Sequence, residues 1–121
     1  MDARQLVETY HNAWTSGDFA AARACLADDL DFKGSIDTFR TADAFVDTLR
    51  KFQSMLRRAT LLKALYAADG AALLYDCDTK SPAGVIRTAE FFTTRGGKIT
   101  EIRLVFDASE LRKLMQPQKP A

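Results

Sequence analysis

The stretch VIRTAEFFTTRGGKITEIRLVFD, residues 85–107, decides how this chain folds. Apolar and threonine side chains recur with a period of two on both sides of Arg95-Gly96-Gly97. The stretch therefore reads as two antiparallel strands, Val85 to Arg95 and Lys98 to Asp107, joined by a tight turn. Its outlier is Glu90, a carboxylate within a β-forming run. A strand slipped by one residue turns every side chain to the other face, so the turn sets where Glu90 points. A three-residue loop with Gly97 in the left-handed region pairs Thr94 with Lys98. Glu90 then faces Ile102, Phe92 faces Thr100 and Thr88 faces Leu104. A two-residue Gly96-Gly97 turn instead sets Glu90 opposite Arg103, as one partner of a surface ion pair.

Upstream, Leu61 to Ala68 and Ala71 to Thr79 have the same period, punctuated by Asp69-Gly70 and by Ser81-Pro82-Ala83-Gly84. Counting through the second turn pairs Cys77 with Thr88, Tyr75 with Glu90 and Leu73 with Phe92. One sheet face then gathers Leu73, Tyr75, Cys77, Thr88, Glu90, Phe92, Ile102, Leu104 and Phe106. The opposite face gathers Asp76, Asp78, Arg87, Glu101 and Arg103 around Ala89, Phe91 and Val105, with Asp78 near Arg87. In the three-residue register the apolar face meets the helices and Glu90 is its only charged member. An interior carboxylate must be hydrogen-bonded, hydrated in a cavity or protonated.

Ahead of the strands, Leu6, Val7, Tyr10, Ala13 and Trp14 mark one face of a helix from Asp2 to Thr15. Gly17 stops it and Asp18 caps a second helix, Phe19 to about Ala27. Leu30 to Ile36 alternates as a half-buried strand. Thr41 opens a third helix carrying Phe45, Leu49, Phe52 and Leu56. Asp107 to Glu110 reads as a capping box for a last helix, Glu110 to Met115. Helices followed by a long antiparallel meander predict an α+β domain: a strongly curved sheet wrapped around N-terminal helices as a cone-shaped barrel with room for a cavity. Residues 1–115 are expected to form this single domain, with 116–121 as a flexible polar tail.

The length of 121 residues fits one domain, and 47% hydrophobic with 27% charged residues is an ordinary globular balance. Seventeen Lys and Arg against 16 Asp and Glu give a net charge of +1, which predicts neither a nucleic-acid nor a membrane partner. Cys25 and Cys77 are far apart and His11 is the sole histidine, so no metal or cofactor is expected. The N-terminal MDARQLVETYHNAW has no apolar run, and a cytoplasmic location is expected. His11 stands one position off the Leu6/Tyr10/Trp14 stripe and reads as a partly exposed helix residue. Cys77 reads as a small buried apolar residue.

The chain resembles the SnoaL-like branch of the nuclear transport factor 2-like superfamily, which has a cystatin-like architecture. The resemblance lies in TSGDFAAARACLADDLDF, residues 15–32, with the tryptophan before SGD, and in AEFFTTRGGKITEIRLVFD, residues 89–107. It implies a pocket at the wide end of the cone and homodimers formed through the outer sheet face. Because that superfamily includes ketosteroid isomerases, polyketide cyclases, limonene epoxide hydrolases and dehydratases as well as members that only bind or assemble, it does not select a reaction. Set against the ketosteroid isomerases, Tyr10 takes the place of the enolate-donating tyrosine and Glu90 lies close to the second, protonated acid. Gly34 stands where the proton-abstracting aspartate belongs, so that reaction is not expected. The site predicted on this basis has Glu90 and Tyr10 as catalytic candidates, with Trp14, Phe32, Tyr75, Cys77, Phe92, Ile102 and Phe106 around a ligand.

Three function classes fit. The first is a pocket that binds a small, mostly apolar ligand. Nearly level with it is a small lyase, isomerase or cyclase using Glu90 as general acid or base with Tyr10 or Tyr75 assisting. A non-catalytic dimerisation scaffold ranks third.

Overall fold

The computed structural model describes residues 1–115; the tail expected at 116–121 lies outside the described residues. Four helices and six strands follow in the order α1 (Ala3–Thr15), α2 (Phe19–Ala24), β1 (Leu26–Lys33), β2 (Thr38–Phe39), α3 (Ala42–Gln53), β3 (Leu56–Ala67), β4 (Gly70–Thr79), β5 (Val85–Arg95), β6 (Lys98–Phe106) and α4 (Ser109–Met115). The sheet runs β2-β1-β6-β5-β4-β3. It is curved and open, with β2 and β3 as its edges, and the helices pack in its concavity. Among the described residues no helix is long and apolar enough to cross a membrane.

Local sequence fixes the helix starts. Asp2 and Gln5 form a reciprocal capping box on α1, the Asp2 carboxylate accepting the Gln5 N–H at 2.8 Å. Asp18 and Thr41 cap α2 and α3 by accepting from Ala21 and Ala44. Leu6, Val7, Tyr10 and Trp14 of α1 and Phe45, Val46 and Leu49 of α3 are buried in the core that the helices form with the sheet.

Several boundaries differ from the sequence reading. Helix α2 ends at Ala24, because Leu26 already belongs to β1, which begins four residues before the strand expected at Leu30. β1 pairs in parallel with β6, Phe32 lying opposite Ile102, a long-range contact that no local period encodes. Likewise α3 ends at Gln53 and Leu56 opens β3, where it pairs with Thr79. At α4 the Asp107 carboxylate accepts the Ser109 N–H and hydroxyl, so the turn closes within three residues and the helix starts at Ser109.

The register of β5 and β6 corrects the expected turn. Gly96 and Gly97 have φ of 59° and 74°, and Arg95 pairs with Lys98: a two-residue turn with both central residues left-handed. On its own that turn points Glu90 outward. A bulge intervenes, with Thr94 opposite Ile99 and Thr93 opposite Glu101, so that Thr100 is the extra residue. The bulge restores the face, and Glu90 pairs with Leu104 and points inward. Between β4 and β5 the pairing is Tyr75 with Thr88 and Leu73 with Glu90, two residues from the expected one and hence with the same faces. Arg87 therefore clasps Asp76, not Asp78, through two hydrogen bonds of 2.8 and 2.9 Å.

Candidate functional site

Between the concave sheet face, α1 and α3 lies a cavity of about 510 Å³. Its walls are almost wholly apolar. Phe32 of β1 stacks on Phe45 of α3 with ring centroids 4.5 Å apart, and Leu49, Phe52 and Met55 extend the α3 side. Tyr10 and Trp14 come from α1, Tyr75 and Cys77 from β4, Ile86, Thr88 and Glu90 from β5, and Leu104 and Phe106 from β6. The residues of the sheet wall share one face because they alternate along their strands.

Glu90 is 1% exposed. Tyr75 donates its hydroxyl to Glu90 Oε1 at 2.9 Å, although the two residues are not directly opposite. The long tyrosine side chain reaches its diagonal neighbour. Burial pushes the Glu90 carboxyl up to about 7, and the Tyr75 hydrogen bond opposes that shift. Burial, and then the Glu90 charge, raise Tyr75 well above the ordinary tyrosine value. Tyr10 is fully buried with its hydroxyl unpartnered among protein atoms. Burial, then the Glu90 charge, then Cys25 raise its pKa. Near neutral pH the site therefore has one group poised between acid and base, Glu90, and phenols that stay protonated.

His11 is not the partly exposed helix residue its sequence position suggested. It is 7% exposed, packed edge-on against Tyr75 at 4.9 Å and against Trp14 at 5.9 Å. Burial lowers its pKa to about 4, so its ring is neutral at physiological pH. Its ring is covered by Tyr75 from β4 and Trp14 from the next turn of α1, so the flank of the apolar stripe is buried as well as its centre.

Of the residues predicted for the site, Glu90, Tyr10, Trp14, Phe32, Tyr75, Cys77 and Phe106 line the cavity. Phe92 and Ile102 lie in the core beside it, Phe92 edge-on to Tyr10 at 5.8 Å. Burial and the Glu90 charge push the Cys77 thiol up to about 12, which keeps it protonated and a poor nucleophile. Gly34, where a catalytic base was sought, also lines the cavity. A Cβ there would meet Phe32 Cε1 at 3.0 Å, so a larger side chain requires that ring to move. The α3 wall and the rim at Ser35, Ile36, Asp37 and Leu111 were not anticipated. The helical period of Phe45, Leu49 and Phe52 marked an apolar face, but a period does not distinguish a face packed on core from one facing a void. Among the described residues no cluster of His, Cys, Asp or Glu could hold a metal ion.

The sequence profile of the SnoaL-like domain matches residues 7–102. The chain belongs to the SnoaL-like domain family. Among solved structures, this SnoaL-like protein is similar to one from Kribbella flavida DSM 17836, with 30% identity over 94% of this chain and 93% of that one and a TM-score of 0.87. It shares its fold with a nuclear transport factor 2-like protein of unknown function from Cytophaga hutchinsonii, at 20% identity, 93% and 96% coverage and a TM-score of 0.82. It shares it also with an epoxide hydrolase of the LEH-like type from M. tuberculosis, at 21% identity, 92% and 86% coverage and a TM-score of 0.74. No curated protein matches the chain.

Proposed function

We propose that this SnoaL-like protein binds a small, mostly apolar ligand whose single polar group meets Glu90. The observation that carries the reading is a 1% exposed carboxylate on the wall of an otherwise apolar cavity of about 510 Å³. That volume falls within the range of small-molecule sites, and one well-placed polar group in an apolar wall orients a ligand without holding water. Since Tyr75 already donates to Oε1, an ionised Glu90 offers its remaining acceptor capacity to a ligand hydroxyl or amine. A protonated Glu90 can instead donate to a carbonyl.

A thermal-shift screen of apolar hydroxyl and carbonyl compounds, followed by native mass spectrometry, tests this. A compound that raises the melting temperature should bind Glu90→Ala at least tenfold more weakly, about the worth of a hydrogen bond to a charged group. Equal affinity for both proteins would sink the role of Glu90.

A second reading rests on the Glu90 pKa of about 7, which suits proton transfer near neutral pH. In it the protein is a lyase, isomerase or cyclase with Glu90 as general acid or base, Tyr75 holding the carboxylate and Tyr10 close by. Glu90→Gln then abolishes turnover while preserving the fold; retained turnover excludes it. In both readings the protein works in the cytoplasm as a dimer formed through the outer sheet face. The support for the dimer is the exposure there of Leu65, Phe91 and Val105, at 60%, 50% and 57%.

A further inference from the structure

We propose that the ligand of this cavity is an apolar amine, whose protonated nitrogen meets Glu90 within an aromatic wall. The inference rests on the binding reading and narrows it from any polar group to a cation. Its starting point is how carboxylates are paired across the molecule. Near the surface, Asp28 and Asp43 both bond Arg23, Asp76 bonds Arg87 and Asp31 bonds Arg103. Glu90 is the one buried carboxylate among the described residues, and no Lys, Arg or His among them pairs with it. Its hydrogen-bond partner is the Tyr75 hydroxyl on Oε1, which leaves Oε2 to accept an N–H from a ligand. Leu73 of β4 and Leu104 of β6 stand opposite it. The titratable groups around it, Tyr75 and Cys77 of β4 and Tyr10 of α1, are all held protonated by burial and by the Glu90 charge, and so are uncharged. The fold thus builds a desolvated anion site and supplies no cation for it.

A buried ion pair is ordinarily weak because both ions must lose their water. Here folding has already stripped the carboxylate, so only the ammonium has hydration to lose. The wall offers it a replacement. Trp14 lies 6.2 Å from Tyr75 and 6.2 Å from Phe52 between ring centroids, a chain of rings that begins at the Tyr75–Glu90 hydrogen bond. Phe32, Phe39 and Phe45 form a second group, with centroids 4.5 to 6.2 Å apart. Ring quadrupoles attract a cation, most strongly where water is excluded. A neutral alcohol gains neither that attraction nor the ion pair, and an anionic ligand meets Glu90 as a like charge. At the outer end Lys51 and Asp37 carry opposite charges, so the rim does not turn a cation away.

Isothermal titration calorimetry with 4-phenylbutylamine and its neutral counterpart 4-phenylbutan-1-ol, on the wild-type protein and on Glu90→Gln, tests the assignment. An alkylamine stays charged from pH 6 to pH 8, so any pH dependence of its binding comes from the protein. At pH 8 the amine should bind at least tenfold more tightly than the alcohol. With the Glu90 carboxyl at about 7, amine affinity should fall about tenfold from pH 8 to pH 6, because proton and ammonium compete for one carboxylate. Glu90→Gln should erase both the preference and the pH dependence while the alcohol still binds. An alcohol that matches the amine at pH 8 overturns the cation and leaves the wider reading, a neutral group on Glu90, intact. An amine preference that persists in Glu90→Gln also overturns it, since the selectivity then lies elsewhere. Binding of neither compound overturns the amine as well, and the thermal-shift screen then decides the wider reading on its own.

Discussion

Glu90 and His11 are buried side chains whose proton affinities burial moves in opposite directions, toward about 7 for the carboxyl and about 4 for the imidazole. The folded state holds the Glu90 proton more tightly than the unfolded chain, whose value is 4.5. That contribution to stability is full below 4.5 and is lost as pH rises to 7. His11 has the other sign. The unfolded chain takes up its proton first, near 6.5, so stability is lost as pH falls from 6.5 toward 4. Between 4.5 and 6.5 the two slopes oppose, and the wild-type stability profile should be nearly flat there. Urea unfolding across this range should show stability rising with pH in Glu90→Gln and falling with pH in His11→Phe, each by on the order of 3 kcal/mol end to end. Slopes of the same sign in the two variants would refute the opposed burial terms. The sequence marked Glu90 as the anomaly of its strand. It gave no warning about His11, whose burial depends on its contact with Tyr75 of β4.

At the scale of the element, the β5–β6 hairpin shows why the residues that share a face were legible when the turn that aims Glu90 was not. The expected register was two residues from the true one, and a slip of two leaves every face unchanged. The turn alone would have reversed the faces; Thr100, bulged out of β6 and bonded through its hydroxyl to the Thr93 carbonyl at 3.3 Å, reverses them back. Deleting Thr100 takes away the bulge but keeps Thr93 opposite Glu101 and Glu90 opposite Leu104, so it should cost little more than altering the turn. Gly97→Ala, at φ 74°, should lower stability by about 1 kcal/mol. With Thr100 removed, Glu101 follows Ile99 directly and every side chain keeps its face, so circular dichroism melts should still show a cooperative transition. A Thr100 deletion that loses its cooperative transition would show that the bend of the bulge, and not only the register, is needed for the fold. Bulges bend and twist a sheet, so their positions answer to its overall curvature, which local alternation does not record.

Over the whole molecule, the outer sheet face is where association should appear. Leu65, Ala72 and Phe91 stand side by side across β3, β4 and β5, with Arg103 beyond them on β6. Arg103 is tied to the Asp31 carbonyl at 2.9 Å and to its carboxylate at 3.2 Å, so its loss would disturb the β1–β6 pairing. Phe91→Glu is the cleaner test. It should shift the sedimentation coefficient from dimer to monomer with little change in melting temperature, and an unchanged profile would place any assembly elsewhere. The sequence by itself determined the starts of α1, α2 and α3, the turn sites and which strand residues share a face of the sheet. Each of these follows from capping chemistry or from a periodicity of two or 3.6 residues, which act over a few positions. Only the tertiary structure decided that β1 joins β6 in parallel, that the α3 face borders a void, that His11 is interior and that α4 meets Ser35 at the rim. Those are contacts between residues tens of positions apart, set by sheet curvature and by the packing of helices into its concavity, and no local period carries them.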